Sequence, residues 1–479
     1  MSWDSIITAN PSEYDTSLPV FGQVPKILQN GTYYLIGPGK IGAYGRRVHP
    51  FDGHGLLRKF IFDQQSVAFQ SQFVQTEALT TEMKNGKLCY RGIGGLPYKS
   101  NIRNFMSRTT KNPANTCVVP WQGKLLCGYE GGLPHLVEAS DLSTIGVEDF
   151  SNQLDHGMGF LAHTRFDAEK QELFGVSFKP GKNSTFHIHG FAADGKSVLH
   201  TKYTLQGMTL IHDFLLSDTY VILIENPMAP NYPVLLKALL GVEPLILALQ
   251  QQERPARVLL FPRTGGPPRV IEMDQSCMAF HHACAAETLN EGGEATHLTL
   301  YSCMFDKYTD FGSEFGYQGF DKPFLNTYSK SQSPQKLTKI TIDLVTERCL
   351  TEVVTDWAID FPKIHPLRDG RGSTHVYGAA PSPKGTFAPF DTFCRVDLKT
   401  GVVDTWASDC GILGEGIFVP LGETEQSGFV IVMAYRSDGT DLLILEADNL
   451  ANGPLARIHL PEVFPYGFHG HFSPQSCMR

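Results

Sequence analysis

The sequence has little of what marks nucleic-acid-binding or membrane-spanning proteins. Asp, Glu, Lys and Arg together make up 19% of the 479 residues, and the net charge is -9. This balance offers no basic surface to a phosphate backbone, so nucleic acid is excluded as a partner. No apolar run reaches the roughly 18 to 20 uncharged residues that a membrane span needs. The chain is therefore predicted not to cross a membrane.

The chain also lacks any pair of cysteines at C-x-x-C spacing. Its ten cysteines are Cys89, Cys117, Cys127, Cys277, Cys284, Cys303, Cys349, Cys394, Cys410 and Cys477. This spacing predicts neither a disulfide framework nor a zinc knuckle. Cysteines within apolar runs such as GKLLCGY are expected to be buried free thiols. The N-terminal stretch MSWDSIITANPSEYD has neither the basic nor the apolar region of a signal peptide. These features predict a protein of the reducing cytoplasm.

Helical periodicity is scarce as well, whereas short β-branched and aromatic runs recur along the whole chain. Examples are TYYLIG, ELFGVSF, TYVILIE, RVLLFP and GFVIVMAY, separated by turn sequences such as ADGK and DLKTG. This pattern predicts an all-β, antiparallel protein. No change in composition marks a linker, so residues 1–479 are predicted to form one domain. A β-propeller accommodates so many strands with few exposed edges, although no regular repeat of about 40 residues is visible.

Two stretches interrupt the β pattern. Residues 230–252, PNYPVLLKALLGVEPLILALQQQ, form a leucine-rich insertion with two interpretations. It is either a helix packed on the core or an amphipathic surface in a bilayer interface, at the mouth of a tunnel for a lipophilic ligand. A predicted loop further along the chain is rich in phenylalanine: Phe305, Phe311, Phe315, Phe320 and Phe324. So many aromatic side chains need an apolar group to cover.

Four places in the chain carry histidines that follow apolar runs and are therefore expected at strand ends. These histidines are His163 in GFLAHTRFD, His212 in LIHDFLL, His281 and His282 in AFHHACAAE, and His469 and His471 in YGFHGHFS. The separations 163 to 212 and 212 to 282 correspond to about one propeller blade plus its loops. Rings from different blades would meet on the axis of a propeller. A shared metal ion is one hypothesis, and hydrogen-bonded core histidines are the other.

Three acidic residues next to apolar neighbours support the metal hypothesis. They are Glu130 in YEGGLPH, Asp360 in WAIDFPKIHP and Glu415 in LGEGIFVP. A metal-bound imidazole usually donates its second N–H to a carboxylate or a carbonyl. An unpaired charge in apolar surroundings would be costly, which favours such pairing. The alternative is that these residues are turn caps or solvated loop acids.

These motifs together resemble the carotenoid cleavage oxygenases, the family that includes apocarotenoid oxygenases and the retinal pigment epithelium isomerase. NGTYYLIGPG, HPFDGHGLL, AHTRFD, IHDF, FHHACAAE, IDFPKIHP, GEGIFVP and FPYGFHG occur in the family's order, nearly from end to end of the chain. The resemblance implies a seven-bladed β-propeller with a dome of loops and short helices over the central metal site. His54 stands where the family usually has aspartate, and Gly416 where it usually has proline.

The resemblance also implies the ligands of a ferrous iron on the axis: His163, His212, His282 and His469. The family's glutamates that orient these rings correspond to Glu130 for His212 and Glu415 for His469. The third corresponds to Asp360 for His282, and this shorter acid departs from the family pattern. No protein acid or base is predicted to take part besides the metal centre.

Iron with open positions is expected to use O2 as co-substrate and to split a conjugated C=C bond into two carbonyl products. The expected substrate is a carotenoid or an apocarotenoid, with Tyr129, Phe305, Phe311, Phe315 and Phe320 as candidates to line its tunnel. Stilbene-cleaving relatives typically have a lysine where this chain has Tyr129, which cannot carry a positive charge. The alternatives are stilbene cleavage, a retinoid-type isomerohydrolase, a zinc hydrolase and a noncatalytic scaffold. No obligate protein partner is inferred.

Overall fold

Antiparallel strands make up most of the protein. The computed structural model describes residues 3–107, 109–309, 311–325, 332–382 and 389–474. Within these residues the strands are β1 (Tyr14–Pro19), β2 (Phe21–Gly22), β3 (Thr32–Gly39), β4 (His54–Phe62), β5 (Ser66–Phe73), β6 (Cys117–Trp121), β7 (Lys124–Gly128), β8 (His135–Glu138), β9 (Thr144–Val147), β10 (Gly159–Phe160), β11 (Arg165–Asp167), β12 (Glu172–Lys179), β13 (Asn183–Ala192), β14 (Ser197–Gln206), β15 (Met208–Leu210), β16 (Leu215–Leu216), β17 (Tyr220–Pro230), β18 (Leu249–Gln251), β19 (Arg257–Pro262), β20 (Arg269–Glu272), β21 (Met278–Leu289), β22 (Ala295–Phe305), β23 (Lys336–Asp343), β24 (Arg348–Val353), β25 (Asp360–Lys363), β26 (His375–Ala380), β27 (Thr392–Asp397), β28 (Val403–Ala407), β29 (Ile412–Pro420), β30 (Gly428–Arg436), β31 (Gly439–Glu446), β32 (Pro454–His459) and β33 (Gly470–Ser473).

The helices are few and short. The α-helices of the described residues are α1 (Trp3–Ile7), α2 (Glu77–Asn85), α3 (Asn101–Met106) and α4 (Tyr232–Leu239). Short 3-10 helices lie at Lys26–Leu28, Ala43–Gly45, Pro50–Asp52, Leu245–Ala248, Glu314–Gly316, Pro366–Arg368 and Leu450–Asn452. None of these helices is long and apolar enough to span a bilayer, among the residues that the structure describes.

The strands form seven sheets, which are the blades of a β-propeller. Blade 1 is β6 to β9, blade 2 β10 to β14, blade 3 β15 to β20, blade 4 β21 to β24 and blade 5 β25 to β28. Blade 6 has the order β2-β32-β31-β30-β29, and blade 7 the order β1-β5-β4-β3-β33. The edge strands β16, β21, β25, β29, β33 and β6 contact one another in succession and surround the axis. The predicted seven-bladed, all-β fold is confirmed.

The two ends of the chain close the ring together. In blade 7 the C-terminal strand β33 pairs with the N-terminal strand β3, so that Leu35 lies opposite Gly470. In blade 6 the N-terminal strand β2 pairs with β32. This closure orders the tail of the chain and places His469, the residue before β33, at the axis.

The core lies between neighbouring blades. Val176 and Ile188 of blade 2, for example, pack with Leu223 and Leu259 of blade 3 in one buried cluster. Because a blade is covered on both faces, its central strands are apolar at consecutive positions rather than at alternate ones. Of the nine described cysteines, all are free, eight are buried and Cys89 is half-buried. The predicted tenth thiol, Cys477, lies outside the described residues.

The connections outside the blades pack against one another. Asn104 at the end of α3 donates from Nδ2 to the carbonyl of Gly241, 3.2 Å away and just beyond α4. The N–H of Ile246 donates to the carbonyl of Ile93 at 3.0 Å. These bonds join the segment between blades 7 and 1 to the insertion within blade 3.

A buried charged cluster anchors α2 on the propeller. Nε2 of His54 lies 2.8 Å from Oε2 of Glu82, and Nζ of Lys111 lies 3.0 Å from the same oxygen. Burial alone would raise the pKa of Glu82, but its hydrogen bond to His54 and the charge of Lys111 lower it to about 2. The buried His54 is therefore paired with a carboxylate supplied from α2.

Candidate metal centre

Four histidines from four blades converge at the axis: His163, His212, His281 and His469. Their potential ligand atoms all lie within 4.8 Å of one another. Nε2 of His212 is 3.2 Å from Nε2 of His163 and 3.2 Å from Nε2 of His281. His163 and His212 follow β10 and β15, His281 lies in β21, and His469 precedes β33. The propeller thus brings together residues that are as many as 306 positions apart in sequence, His163 and His469.

The prediction that His282 faces this centre is wrong, because His281 takes that place. Successive side chains of a strand point to opposite faces, so only one of two adjacent histidines can face the axis. The pairing of β21 with β22 shifts register on both sides of this pair, at Ala279/His281 and at His282/Cys284. Nδ1 of His282 instead lies 2.8 Å from the buried Oγ of Ser302.

Each of the three predicted carboxylates lies next to one of these rings. Nδ1 of His212 is 2.9 Å from Oε1 of Glu130. Nδ1 of His469 is 2.9 Å from Oε1 of Glu415. The third pair is Nδ1 of His281 and Oδ1 of Asp360, at 2.7 Å.

Asp360 therefore contacts His281 directly, not His282 as expected. In the His281 and His469 pairs the carboxylate accepts from Nδ1, which directs the lone pair of Nε2 towards the centre. Glu130 lies beside His212 at ion-pair distance.

Burial favours neutral imidazoles, the form that binds a metal, whereas the neighbouring carboxylates oppose it. Burial and the neighbouring imidazoles hold the pKa of His163 well below its ordinary value. Burial likewise lowers the pKa of His469 to about 4, although Glu415 acts in the opposite direction. For His281, burial acts to lower the pKa, but Asp360 outweighs it and the net shift is upwards.

A lysine that sequence reasoning missed completes the surroundings of Glu415. Nζ of Lys363 lies 2.8 Å from Oε1 of Glu415. Burial acts to raise the pKa of Glu415, but Lys363 and His469 lower it to about 2. Lys363 lies only three residues after Asp360 in IDFPKIHP. This closeness to a predicted site residue is the one feature of the sequence that could have indicated its role.

An ion pair behind the centre was also missed. Nη2 of Arg165 donates to Oδ2 of Asp213 at 2.6 Å and to the carbonyl of His282 at 3.0 Å. The N–H of His282 donates to the same Asp213 oxygen at 3.0 Å. Arg165 and Asp213 each stand within two positions of a central histidine, in AHTRFD and IHDF. They connect the chain segments that carry His163, His212 and His281.

The predicted tunnel phenylalanines fall into separate groups. Phe305 and Phe311 pack around Tyr308, with ring centroids 5.2 and 4.9 Å from its ring. Phe315 packs 5.7 Å from Phe468, the residue before His469. Phe320 lies under the guanidinium of Arg46, which is 3.8 Å from the ring centroid.

Two phenylalanines that the sequence analysis did not single out lie closer to the histidines. The ring of Phe280 is 5.9 Å from that of His212, and it continues to Tyr308 at 5.2 Å. The ring of Phe361 is 5.3 Å from that of His281 and 5.7 Å from that of His469.

Phe361 adopts a φ of 54°, which is rare for a residue with a side chain, and its N–H donates to Oδ1 of Asp360 at 2.8 Å. This local conformation holds both the carboxylate and the ring against the centre. Tyr129, next to Glu130, is buried, and burial raises its pKa well above the ordinary value.

The donor set fits a divalent transition metal. Four imidazole nitrogens suit zinc, copper and iron, whereas magnesium and calcium prefer oxygen ligands. The fold and the site together define a β-propeller whose axis carries four histidines that could hold a metal ion. Residues 7–474 match the family model described as retinal pigment epithelial membrane protein. The chain belongs to this family, that of the carotenoid cleavage oxygenases.

Several relatives with curated names are similar over almost their whole length. The chain is 32% identical to apocarotenoid-15,15'-oxygenase of Synechocystis sp., over 97% of this chain and 94% of that protein. It is 28% identical to carotenoid cleavage dioxygenase 7 of Oryza sativa, over 95% and 87% of the two chains. Among solved structures, cobalt-substituted Synechocystis apocarotenoid oxygenase superposes with a TM-score of 0.89 at 30% identity, covering 98% of each chain.

Proposed function

We propose that the protein is an iron(II)-dependent dioxygenase that cleaves a conjugated C=C bond of a carotenoid or apocarotenoid into two carbonyl products. The observation that carries this proposal is the convergence of four imidazoles, three of them backed by carboxylates. It occurs in a chain that is 32% identical to an apocarotenoid oxygenase.

His163, His212, His281 and His469 would hold the iron. The chemistry that ferrous iron supplies when bound by neutral ligands is the binding and activation of O2. The protein's own contribution is to turn these rings correctly through Glu130, Asp360 and Glu415, while burial favours the neutral form of His163 and His469. No side chain is assigned to proton transfer.

The surroundings of the centre favour an uncharged, apolar substrate. Phe280 and Phe361 flank the histidines, and Phe280 leads on to the cluster of Phe305, Tyr308 and Phe311. Aromatic surfaces of this kind are suited to a flat polyene, which they bind by burial and stacking. Tyr129 adds a phenol that burial keeps neutral, so it offers a hydrogen bond without charge. A stilbene-type phenol would find no cation at this position.

We further propose that the insertion at 230–252 rests in a membrane interface, from which the lipophilic substrate enters. Its exposed large apolar side chains are Tyr232, Leu236, Leu239, Leu240, Val242, Leu245 and Leu247. The packing of α3 beside this insertion adds the exposed Ile102, Phe105 and Met106. Large apolar surfaces of this kind are rare unless they meet a partner or a lipid.

This exposure supports the membrane-interface interpretation of the insertion over that of a core-packed helix. Leu247 also lies close to Gly312 in the phenylalanine-rich loop, so the apolar surface adjoins that loop.

The decisive experiment combines metal analysis, oxygen uptake and product analysis. Protein purified without oxygen is assayed for iron and then given β-carotene, β-apo-carotenals and resveratrol in air. We expect close to one iron per chain, O2 consumption, and aldehydes from one of the polyenes. His163→Ala should lose both iron and turnover, whereas His297→Gln, a change at an exposed histidine on β22, should lose neither.

Other outcomes would point to the alternatives. A retinoid isomer formed without O2 uptake would indicate an isomerohydrolase. Aldehydes from resveratrol alone would indicate a stilbene oxygenase, and zinc in place of iron would indicate hydrolytic chemistry.

A further inference from the structure

A second group of histidines lies in blade 2, away from the four central ones. His187 and His189 are two residues apart on β13, and His200 lies directly opposite His189 on β14. Because residues i and i+2 of a strand share a face with the residue opposite, all three rings emerge on the same side of the blade. Their potential ligand atoms lie within 4.8 Å of one another.

The surroundings of this triad combine a fixed side with an open one. His187 and His189 are buried, whereas His200 is exposed and can turn. Nε2 of His189 lies 3.0 Å from the buried Oγ of Ser177, which holds that ring and leaves its second nitrogen available. The rings of His189 and His200 stack at 5.2 Å with an interplanar angle of 13°.

Burial favours the neutral form of the two buried members of the triad. Burial lowers the pKa of His189 to about 3, with His200 and His187 acting in the same direction. Burial and the charges of Lys202 and His200 lower the pKa of His187, while Asp155 acts against them. Lys202 lies directly opposite His187 but is exposed, so its ammonium group can extend into solvent. Neutral imidazoles keep the lone pairs that a metal requires.

We propose that His187, His189 and His200 form a second metal site, which binds Zn²⁺ through three imidazoles and leaves the remaining position to water. A pair of histidines two apart on one strand with a third across the sheet supplies three of the four tetrahedral positions of zinc. Zinc–nitrogen bonds of about 2.0–2.1 Å bring ligand nitrogens to roughly 3.3 Å from each other. Rotation of the exposed His200 ring provides most of the necessary approach. This inference does not depend on the proposed activity.

The test is a zinc titration of the protein as isolated, with its central metal in place. Calorimetry measures binding, and elemental analysis after dialysis checks that the central metal is retained. We expect the wild-type protein to bind one further zinc per chain. His200→Gln and His187→Gln should each weaken this binding at least tenfold. His297→Gln, on another blade, should bind zinc as the wild type does.

His200→Gln is the critical variant because its exposed side chain can be replaced without disturbing the core. Cobalt serves as a second probe, since Co²⁺ in a tetrahedral site absorbs visible light. That absorption should appear with the wild type, disappear on adding zinc, and be missing in His200→Gln. If the wild type bound no zinc beyond the central site, or if His200→Gln bound it equally tightly, the proposal would be overturned.

Discussion

The adjacent histidines His281 and His282 allow a sharp test of the centre, because the structure assigns them opposite roles. His281→Ala removes a central imidazole and leaves the carboxylate of Asp360 without its imidazole partner. Loss of a group that only orients a ligand typically weakens metal binding 10- to 100-fold. Loss of the ligand itself should therefore weaken metal binding by more than about 100-fold. After dialysis against a chelator, this variant should contain almost no metal.

His282→Ala should keep the metal and lose stability instead. It removes a buried contact of 2.8 Å and leaves the Ser302 hydroxyl unpaired, at a cost of about 1–3 kcal/mol. The cavity left by the ring raises the total to about 2–4 kcal/mol. For 479 residues the entropy of unfolding is about 1 kcal/mol per kelvin. The melting temperature should therefore fall by roughly 2–4 °C.

Both variants are measured by elemental analysis and by thermal unfolding followed by circular dichroism. The reasoning would be refuted if His282→Ala emptied the site while His281→Ala retained a full complement of metal. That result would mean that β21 presents its other face to the axis.

Three further predictions concern other parts of the molecule. Asp360→Asn should weaken metal binding by about 10- to 100-fold in a chelator competition, because the amide no longer orients the His281 ring as an anion does. The double change Leu236→Ser and Leu239→Ser should lower sedimentation with liposomes by about 10- to 100-fold, since two exposed leucines lose their burial in lipid. Glu82→Gln should destabilise the protein by about 3 kcal/mol in urea unfolding at pH 7, because Lys111 stays buried without its anion. Since the pKa of Glu82 is lowered to about 2, this difference should be complete above about pH 4.5 and shrink as the pH falls towards 2.

Matched controls separate these effects from general damage. Val345→Ser with Leu350→Ser removes two exposed apolar side chains from the edge of blade 4 and should leave liposome binding unchanged. Asp356→Asn and Glu291→Gln change exposed acids and should leave metal binding and stability at wild-type values. Equal effects of a variant and its control would contradict the corresponding prediction.

The fold could be predicted to the level of its architecture. Short β-branched runs between turn residues are a local signal, and they indicated antiparallel strands along the whole chain. The number of blades is not local, because it depends on how the sheets close into a ring, and only the family resemblance supplied it. The closure by β3 and β33 joins residues more than four hundred positions apart, which periodicity does not reveal.

The exposed surface of the insertion at 230–252 also depended on the structure. Both interpretations of its leucines were consistent with the sequence, since helical spacing is the same for a face that meets the core and one that meets solvent. The structure leaves Leu236 and Leu239 exposed, and within α4 only Ala238 is buried.

Composition and local pattern alone determined that the protein is a β-rich protein, with no basic surface and with motifs that carry histidines and acids. They determined this because charge, strand propensity and turn residues act over a few neighbouring positions. Tertiary structure alone decided between His281 and His282. In FHH the two rings are chemically equal, and the register shifts of β21 against β22 determine which one faces the axis and which one contacts Ser302. The same holds for Phe280, Phe361 and Lys363. They lie beside the centre because of how neighbouring blades pack, and their residue types alone do not indicate this position.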